Sequence, residues 1–254
     1  MSSKLPRLAL ITLLIASQAG TAAGLTVGMS WHLQLQGTLQ KPDRQLYDID
    51  LFDTPATTIA QLKSQGRTVI CYFSAGSYEN WRPDANQFPQ AALGKPLDGW
   101  EGENWLDIRN ATVRSIMGKR MDLAKQKGCD GVDPDNVDGY SNDTGLPLTA
   151  THQLDYNRFL ADTAHAKGLL IGLKNTVELA PDLVGKFDFA INESCYKYRE
   201  CGVYQTFIAL GKPVFIAEYR STPNTNWCAD AKRNRYSLQY FKLALKGVGT
   251  LCSG

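Results

Sequence analysis

The sequence is short of the side chains that several common chemistries need. It has three histidines among 254 residues, His32, His152 and His165, and they lie far apart. Its six cysteines include no Cys-x-x-Cys pair, so no spacing suggests a zinc site. No glycine-rich phosphate loop follows the first apolar runs, which disfavours nucleotide binding. Ser74-Ala75-Gly76-Ser77 lacks the Gly-x-Ser-x-Gly elbow of serine hydrolases. Charge of one sign is not in excess either. With 27 basic and 25 acidic residues the formal charge is +2, too little to drive nucleic-acid binding electrostatically. Neither a cofactor nor a metal ion is expected.

Past residue 16 no apolar run is long enough to cross a membrane. The N-terminus itself carries Lys4 and Arg7, an apolar run over 8–16 and small residues over 17–23. This reads as a signal peptide, 1–23, cut near Ala22 or Ala23; an uncleaved anchor is the alternative. Its removal takes away two basic and no acidic residues, leaving a neutral chain. The mature protein is expected outside the cytoplasm, secreted to the medium or the periplasm, and with no stable membrane association. An exported chain with an even number of cysteines suggests disulfides. Cys195–Cys201 would be local to one loop, and Cys228–Cys252 would tie down the C-terminus. Cys71 and Cys129 sit in strand-like runs and read as plain buried residues.

The full chain is globular in composition, with 43% hydrophobic and 20% charged residues, and 24–254 reads as its one domain. A unit of helix, glycine and apolar run recurs, with Gly66, Gly128, Gly168, Gly185 and Gly211 each preceding a run. Glycine just past a helix closes its last turn, and apolar runs suit parallel strands buried on both faces. Strands are expected near 33–36, 47–52, 68–74, 105–108, 131–135, 169–174, 187–193 and 213–219. Helices are expected after the Thr54-Pro55 cap, after Asn110, over 149–166 and over 230–245. This predicts a single-domain α/β fold, a (β/α) TIM-like barrel with its active site at the C-terminal ends of the strands. A doubly wound open sheet is the second choice. The stretch 76–103 has little period and reads as a long loop over the barrel mouth.

Polar groups gather where these strands end. One ends in Asp133, Asp135 and Asp138, others in Lys174-Asn175, Asn192-Glu193 and Glu218-Tyr219. The aspartates admit three readings: acid/base or nucleophilic catalysis with a distant carboxylate, a calcium loop that lacks its closing glutamate, or turn and cap residues. Glu193 is the natural partner, delivered to the rim by an apolar strand; its bland reading is a salt bridge to Lys174 or Lys197. Glu218 has the same placement, or it orients Lys174 or pairs with Arg220. Aromatics flank the acids, and aromatic faces stack on sugar rings. Asp50, Tyr72, Trp81, Asp138, Tyr140, Lys174, Asn175, Tyr196, Glu218 and Tyr219 are the candidate substrate-binding groups.

QLQG at 34–37, YDIDLF at 47–52, CYFSAG at 71–76, WLDIR at 105–109, DGVDPDNVDGY at 130–140, GLKN at 172–175 and NE at 192–193 resemble glycoside hydrolase family 114. That family comprises the endo-α-1,4-polygalactosaminidases. The resemblance runs in order from about Gly28 to Tyr219. It implies a (β/α) barrel that hydrolyses α-1,4-linked galactosamine-rich polysaccharide with one Asp and one Glu. Carried over, these are Asp135 and Glu193, with Asp133 a close alternative to Asp135. Deacetylated galactosamine carries an ammonium, and acids at the strand ends would attract such a cationic polymer. Glu193 would protonate the glycosidic oxygen and Asp135 would attack the anomeric carbon or activate water. A monomer is expected. A non-catalytic polysaccharide-binding or matrix protein on the same barrel is the alternative.

Overall fold

The computed structural model describes residues 24–252; the expected signal peptide lies outside the described residues. The chain begins with β1 (Trp31–Gln34), β2 (Leu46–Asp50), α1 (Ala56–Ser64) and β3 (Thr68–Ser74). Three short strands follow, β4 (Ser77–Glu79), β5 (Leu93–Pro96) and β6 (Glu103–Leu106). Then come α2 (Ala111–Lys127), β7 (Gly131–Asp135), α3 (Ala150–Ala166), β8 (Leu170–Lys174), α4 (Ala180–Leu183) and β9 (Phe189–Glu193). The last part holds α5 (Cys195–Tyr198), α6 (Gln205–Ala209), β10 (Val214–Glu218), α7 (Thr225–Asn234), β11 (Ser237–Tyr240) and β12 (Thr250–Leu251).

Among the described residues the main sheet runs β1-β2-β3-β7-β8-β9-β10-β11-β12, parallel throughout except for the β11–β12 pair. Its eight parallel strands curl into a barrel. Side chains bridge the seam between β1 and β11. Trp31 Nε1 donates to the Ser237 carbonyl at 2.9 Å, Ser237 Oγ donates to the Met29 carbonyl at 2.8 Å, and the Gln239 amide donates to the Trp31 carbonyl.

The period-two alternation of strands splits the apolar residues into two layers. Trp31, Leu33, Leu46, Ile70, Phe189, Ile191 and Phe215 fill the barrel interior. Ile49, Cys71, Val132, Leu173, Val214 and Ile216 face outward and pack with Ile59, Leu62, Met117 and Leu160 of the helices. Both cores remove apolar surface from water at about 25 cal/mol per Å². Gly172 is needed in β8 because a Cβ there would run into the Phe189 ring. That vacancy lets the Phe189 ring fill the barrel interior below Ile191.

Five expectations change. The stretch 105–108 is not a barrel strand; β6 pairs antiparallel with β4 and β5 in a separate small sheet. The region read as a loop over 76–103 thus contains strands, and its residues lie at the mouth. The eighth barrel strand is β11, inside the segment expected to be helical over 230–245. Arg235 takes a left-handed φ of 61° and ends α7. Tyr236, Leu238 and Tyr240 then alternate outward, a strand period that the neighbouring helical pattern masked. Pro55, not Thr54, occupies the cap of α1, without a side-chain bond. Finally, Cys71 and Cys129 form a disulfide, alongside the expected Cys195–Cys201 and Cys228–Cys252. They meet because β3 and β7 are neighbours, with Ile70 opposite Gly131.

Gly172→Ala is expected to cost about 1–3 kcal/mol through overpacking against Phe189. A urea melt should show a lower midpoint at an unchanged slope.

Candidate active site

The same alternation decides which strand-end groups enter the mouth. On β7, Val132 faces the helices, so Asp133 and Asp135 both face the interior. On β8 and β9 the outward residues Leu173 and Ala190 leave Lys174 and Glu193 inside. On β10, Ile216 points outward, so Glu218 follows it and Tyr219 points in. Glu218 is buried and accepts the Tyr196 amide at 2.7 Å; it caps α5 rather than reaching a ligand.

Lys174 lies at the centre. Its ammonium is 3.1 Å from Asp135 Oδ1, 3.6 Å from Glu193 Oε2 and 3.7 Å from Asp133 Oδ2. The side chain is 2% exposed. Burial alone would lower its pKa, but Asp135, Glu193 and Asp133 more than offset this and hold the ammonium charged. Two phenols complete the ring. Tyr72 donates to Asp135 Oδ2 at 3.0 Å and Tyr219 donates to Glu193 Oε1. Burial and the adjacent carboxylate push both phenol pKa values up, so they remain donors. Backbone bonds fix the two acids further: the Asn136 amide donates to Asp135 Oδ1 at 2.8 Å, and the Glu193 amide donates to Asn175 Oδ1 at 2.9 Å. Glu193, delivered to the rim by an apolar strand as expected, therefore sits between an ammonium and a phenol.

Asp133 lies beneath this ring, fully buried, and in hydrogen-bond contact with Asp48 of β2. No other donor within hydrogen-bond range satisfies the four oxygens among the described residues. Two carboxyls in contact with no donor between them require a shared proton. Burial and the neighbouring Asp133 charge raise the Asp48 pKa well above the ordinary carboxylate value. One proton is thus held between Asp48 and Asp133. Among the described residues no group of three or more His, Cys, Asp or Glu side chains is arranged to hold a metal ion. Asp133 and Asp135 instead take an ammonium.

Above the ring opens a groove of about 320 Å³. Tyr72, Asp135, Asp138, Lys174, Asn175, Glu193 and Tyr219 line it, together with Leu97, Asp98, Trp100, Glu103 and Trp105 from the small sheet and its loops. Two buried arginines hold that sheet down. Arg82 bonds Asp50 and Glu79, and Arg120 bonds Asp84 and the Ser74 carbonyl. Asp50 is consequently drawn out of the groove into a salt bridge with Arg82 at 2.7 Å. Tyr140 donates to Glu178, Tyr196 stacks on Trp227 and donates to Asp230, and Trp81 is exposed outside the groove lining. Of the thirteen candidates, these four, Glu218 and the buried Asp133 stand away from the groove. Sequence reasoning missed Asp48 and Glu103. Asp48 was legible from its two-residue spacing to Asp50; nothing local marks Glu103, whose position depends on how the small sheet folds back.

Acids from two strands that converge over the C-terminal mouth of a parallel barrel, beneath an open groove, describe the barrel glycoside hydrolases. The chain belongs to glycoside hydrolase family 114: the sequence profile of Glycoside-hydrolase family GH114 matches residues 13–254. Among solved structures, Aspergillus fumigatus Ega3 in complex with galactosamine is 44% identical, with a TM-score of 0.85 over 91% of this chain and 98% of that one. The glycoside hydrolase domain of PelA from Pseudomonas aeruginosa, at 16% identity, shares the fold with a TM-score of 0.68 over 87% and 98%. No curated protein sequence matches significantly.

The Asp48–Asp133 pair makes stability depend on pH. A carboxyl whose folded pKa is raised binds its proton more tightly when folded. Its contribution is present below the ordinary value of 3.8 and is lost as pH rises through the folded value, about 7 for Asp133. Asp48→Asn keeps a donor toward Asp133 without a titrating proton. We expect melting temperatures of variant and wild type to agree near pH 5, and the variant to melt higher at pH 8. Lys174, Asp135 and Glu193 are the other charged groups facing the pair. Equal melting curves at pH 8 would contradict the shared proton.

Proposed function

We propose that this chain is an exported endo-glycosidase that cleaves α-1,4-linked galactosamine-rich polysaccharide, with Asp135 and Glu193 as its catalytic pair. The observation that carries this reading is the convergence of both acids on one buried ammonium in an open, acidic groove. Likeness to Ega3, whose structure holds galactosamine, supports the substrate class. Three disulfides support an oxidising compartment, and no described helix is long and apolar enough to cross a membrane.

In the first step Glu193 gives a proton to the glycosidic oxygen as the bond to the anomeric carbon breaks. Asp135 attacks that carbon and forms a glycosyl ester. Glu193, now a carboxylate, takes a proton from water, which displaces the ester and regenerates Asp135. Lys174 stabilises whichever of the two is charged, and Tyr72 and Tyr219 hold their orientation. Both acids lie within 3.6 Å of Lys174 Nζ, so the oxygens facing it are at most about 6.7 Å apart. The retaining separation of about 5–5.5 Å falls within that bound, and the anomer released decides between it and the inverting range of about 6.5–9.5 Å. Asp133 is better placed as the support of Lys174 than as a nucleophile, because no surface of it is open to a sugar.

Release of reducing ends from partly deacetylated galactosamine polymer tests this. Glu193→Gln and Asp135→Asn should each lose roughly 10²–10⁴-fold in kcat, and the first product detected by NMR should be the α-anomer. A wild type that binds the polymer without cutting it would instead make the protein a polysaccharide-binding module.

A further inference from the structure

Six acidic side chains are buried among the described residues: Asp48, Asp50, Glu79, Glu103, Asp133 and Glu218. Five are matched. Asp50 and Glu79 pair with Arg82, Asp48 and Asp133 share a proton beside Lys174, and Glu218 accepts amides at the start of α5. Glu103 is 8% exposed, and no cation lies within salt-bridge distance of it among the described residues. Among the described residues its carboxyl takes one hydrogen bond, from the Ser77 hydroxyl to Oε2 at 2.6 Å. A buried carboxylate without a cation is costly unless a ligand supplies one.

Glu103 also lines the groove, in company with Trp100 and Asp135. Burial, with Glu79 and Asp135 nearby, pushes its pKa up to about 7. Ser77 contacts Ser74 Oγ at 2.6 Å, and Asn136 Nδ2 donates to Ser74 Oγ at 2.9 Å. Asn136 adjoins Asp135, so this chain of polar groups fixes the distance from Glu103 to the proposed nucleophile. Gly76 keeps that junction tight, since a Cβ there would strike the Asn136 carbonyl. Trp100, 44% exposed, offers a ring face to a sugar on the same side.

We infer that Glu103, oriented by Ser77, is the carboxylate that recognises the free ammonium of an aminosugar unit bound beside Asp135, and thereby selects deacetylated over acetylated polymer. The inference rests on the aminosugar reading of the groove given above. A primary ammonium would give Glu103 the cation that the chain withholds; an acetamide has no charge to give and is bulkier.

The test uses binding, not turnover. Oligosaccharides of α-1,4-linked galactosamine, and the same oligosaccharides fully N-acetylated, are titrated calorimetrically into Glu193→Gln protein with and without Glu103→Gln. Gln keeps the size and accepts the same Ser77 bond. Glu103→Gln should weaken the deacetylated oligomer roughly ten- to hundredfold, the scale of one charged contact, and leave the acetylated one within about threefold. Glu101→Gln, an exposed acid of the same segment, controls for net charge and should change neither by more than about threefold. If Glu103→Gln spares the deacetylated oligomer, or weakens both oligomers alike, the inference is overturned. If Glu193→Gln protein alone shows no preference for the deacetylated oligomer, the aminosugar reading of the groove falls with it.

Discussion

The ammonium of Lys174 is what lets this barrel mouth exist. β7 and β9 bring Asp133, Asp135 and Glu193 within 3.7 Å of one point. In a low dielectric three carboxylates so close repel strongly, and at least one would protonate. One buried cation, with two phenol donors and a proton lodged between Asp48 and Asp133, makes the cluster tenable. The cluster in turn holds Asp135 and Glu193 on either side of one ammonium. Removing the cation would leave uncompensated buried charge, the costly way to break such a site.

The mouth also depends on a second, separate set of ions. Arg82 and Arg120 are buried, and each stacks over the Phe52 ring as well as binding acids. They clamp the small antiparallel sheet onto the barrel, and this sheet supplies one wall of the groove. The two ion sets serve different ends. The arginines are saturated by Asp50, Glu79 and Asp84, and carry no surface toward a ligand. The Lys174 cluster is saturated from below and open from above. Among the described residues the groove consequently keeps acids without a salt-bridge partner along its wall, in Asp98, Glu103 and Asp138, which suits a polycation and opposes an acidic polysaccharide.

Much of this was legible along the chain. The recurrence of glycine before apolar runs marks five of the eight barrel strands, the apolar runs near 33–36 and 47–52 mark two more, and the polar groups at their ends mark β7, β8 and β9 as the business edge. The errors share a cause. A residue's side of a strand is set by a period of two, so a reading that picks polar groups near strand ends without counting parity takes Glu218 with Tyr219 and overlooks Asp48. Asp50 has the right parity and still fails, because Arg82, thirty-odd residues along, reaches it first. The eighth strand is masked by a helical pattern because α7 and β11 are separated only by Arg235, in a left-handed conformation, and Tyr236.

Sequence alone determined the class of fold, the direction of its strands and the identity of the two acids at the rim, because these follow from local period, from glycine at helix ends and from motifs short enough to read in order. Tertiary structure alone decided which acids are free. Whether a carboxylate meets Lys174, an arginine, another carboxyl or nothing depends on how strands far apart in the chain fall into register and on where the small sheet folds back. Those distances arise only when the barrel closes, and a charge's worth is set by its neighbours within a few ångströms, not by its neighbours in sequence.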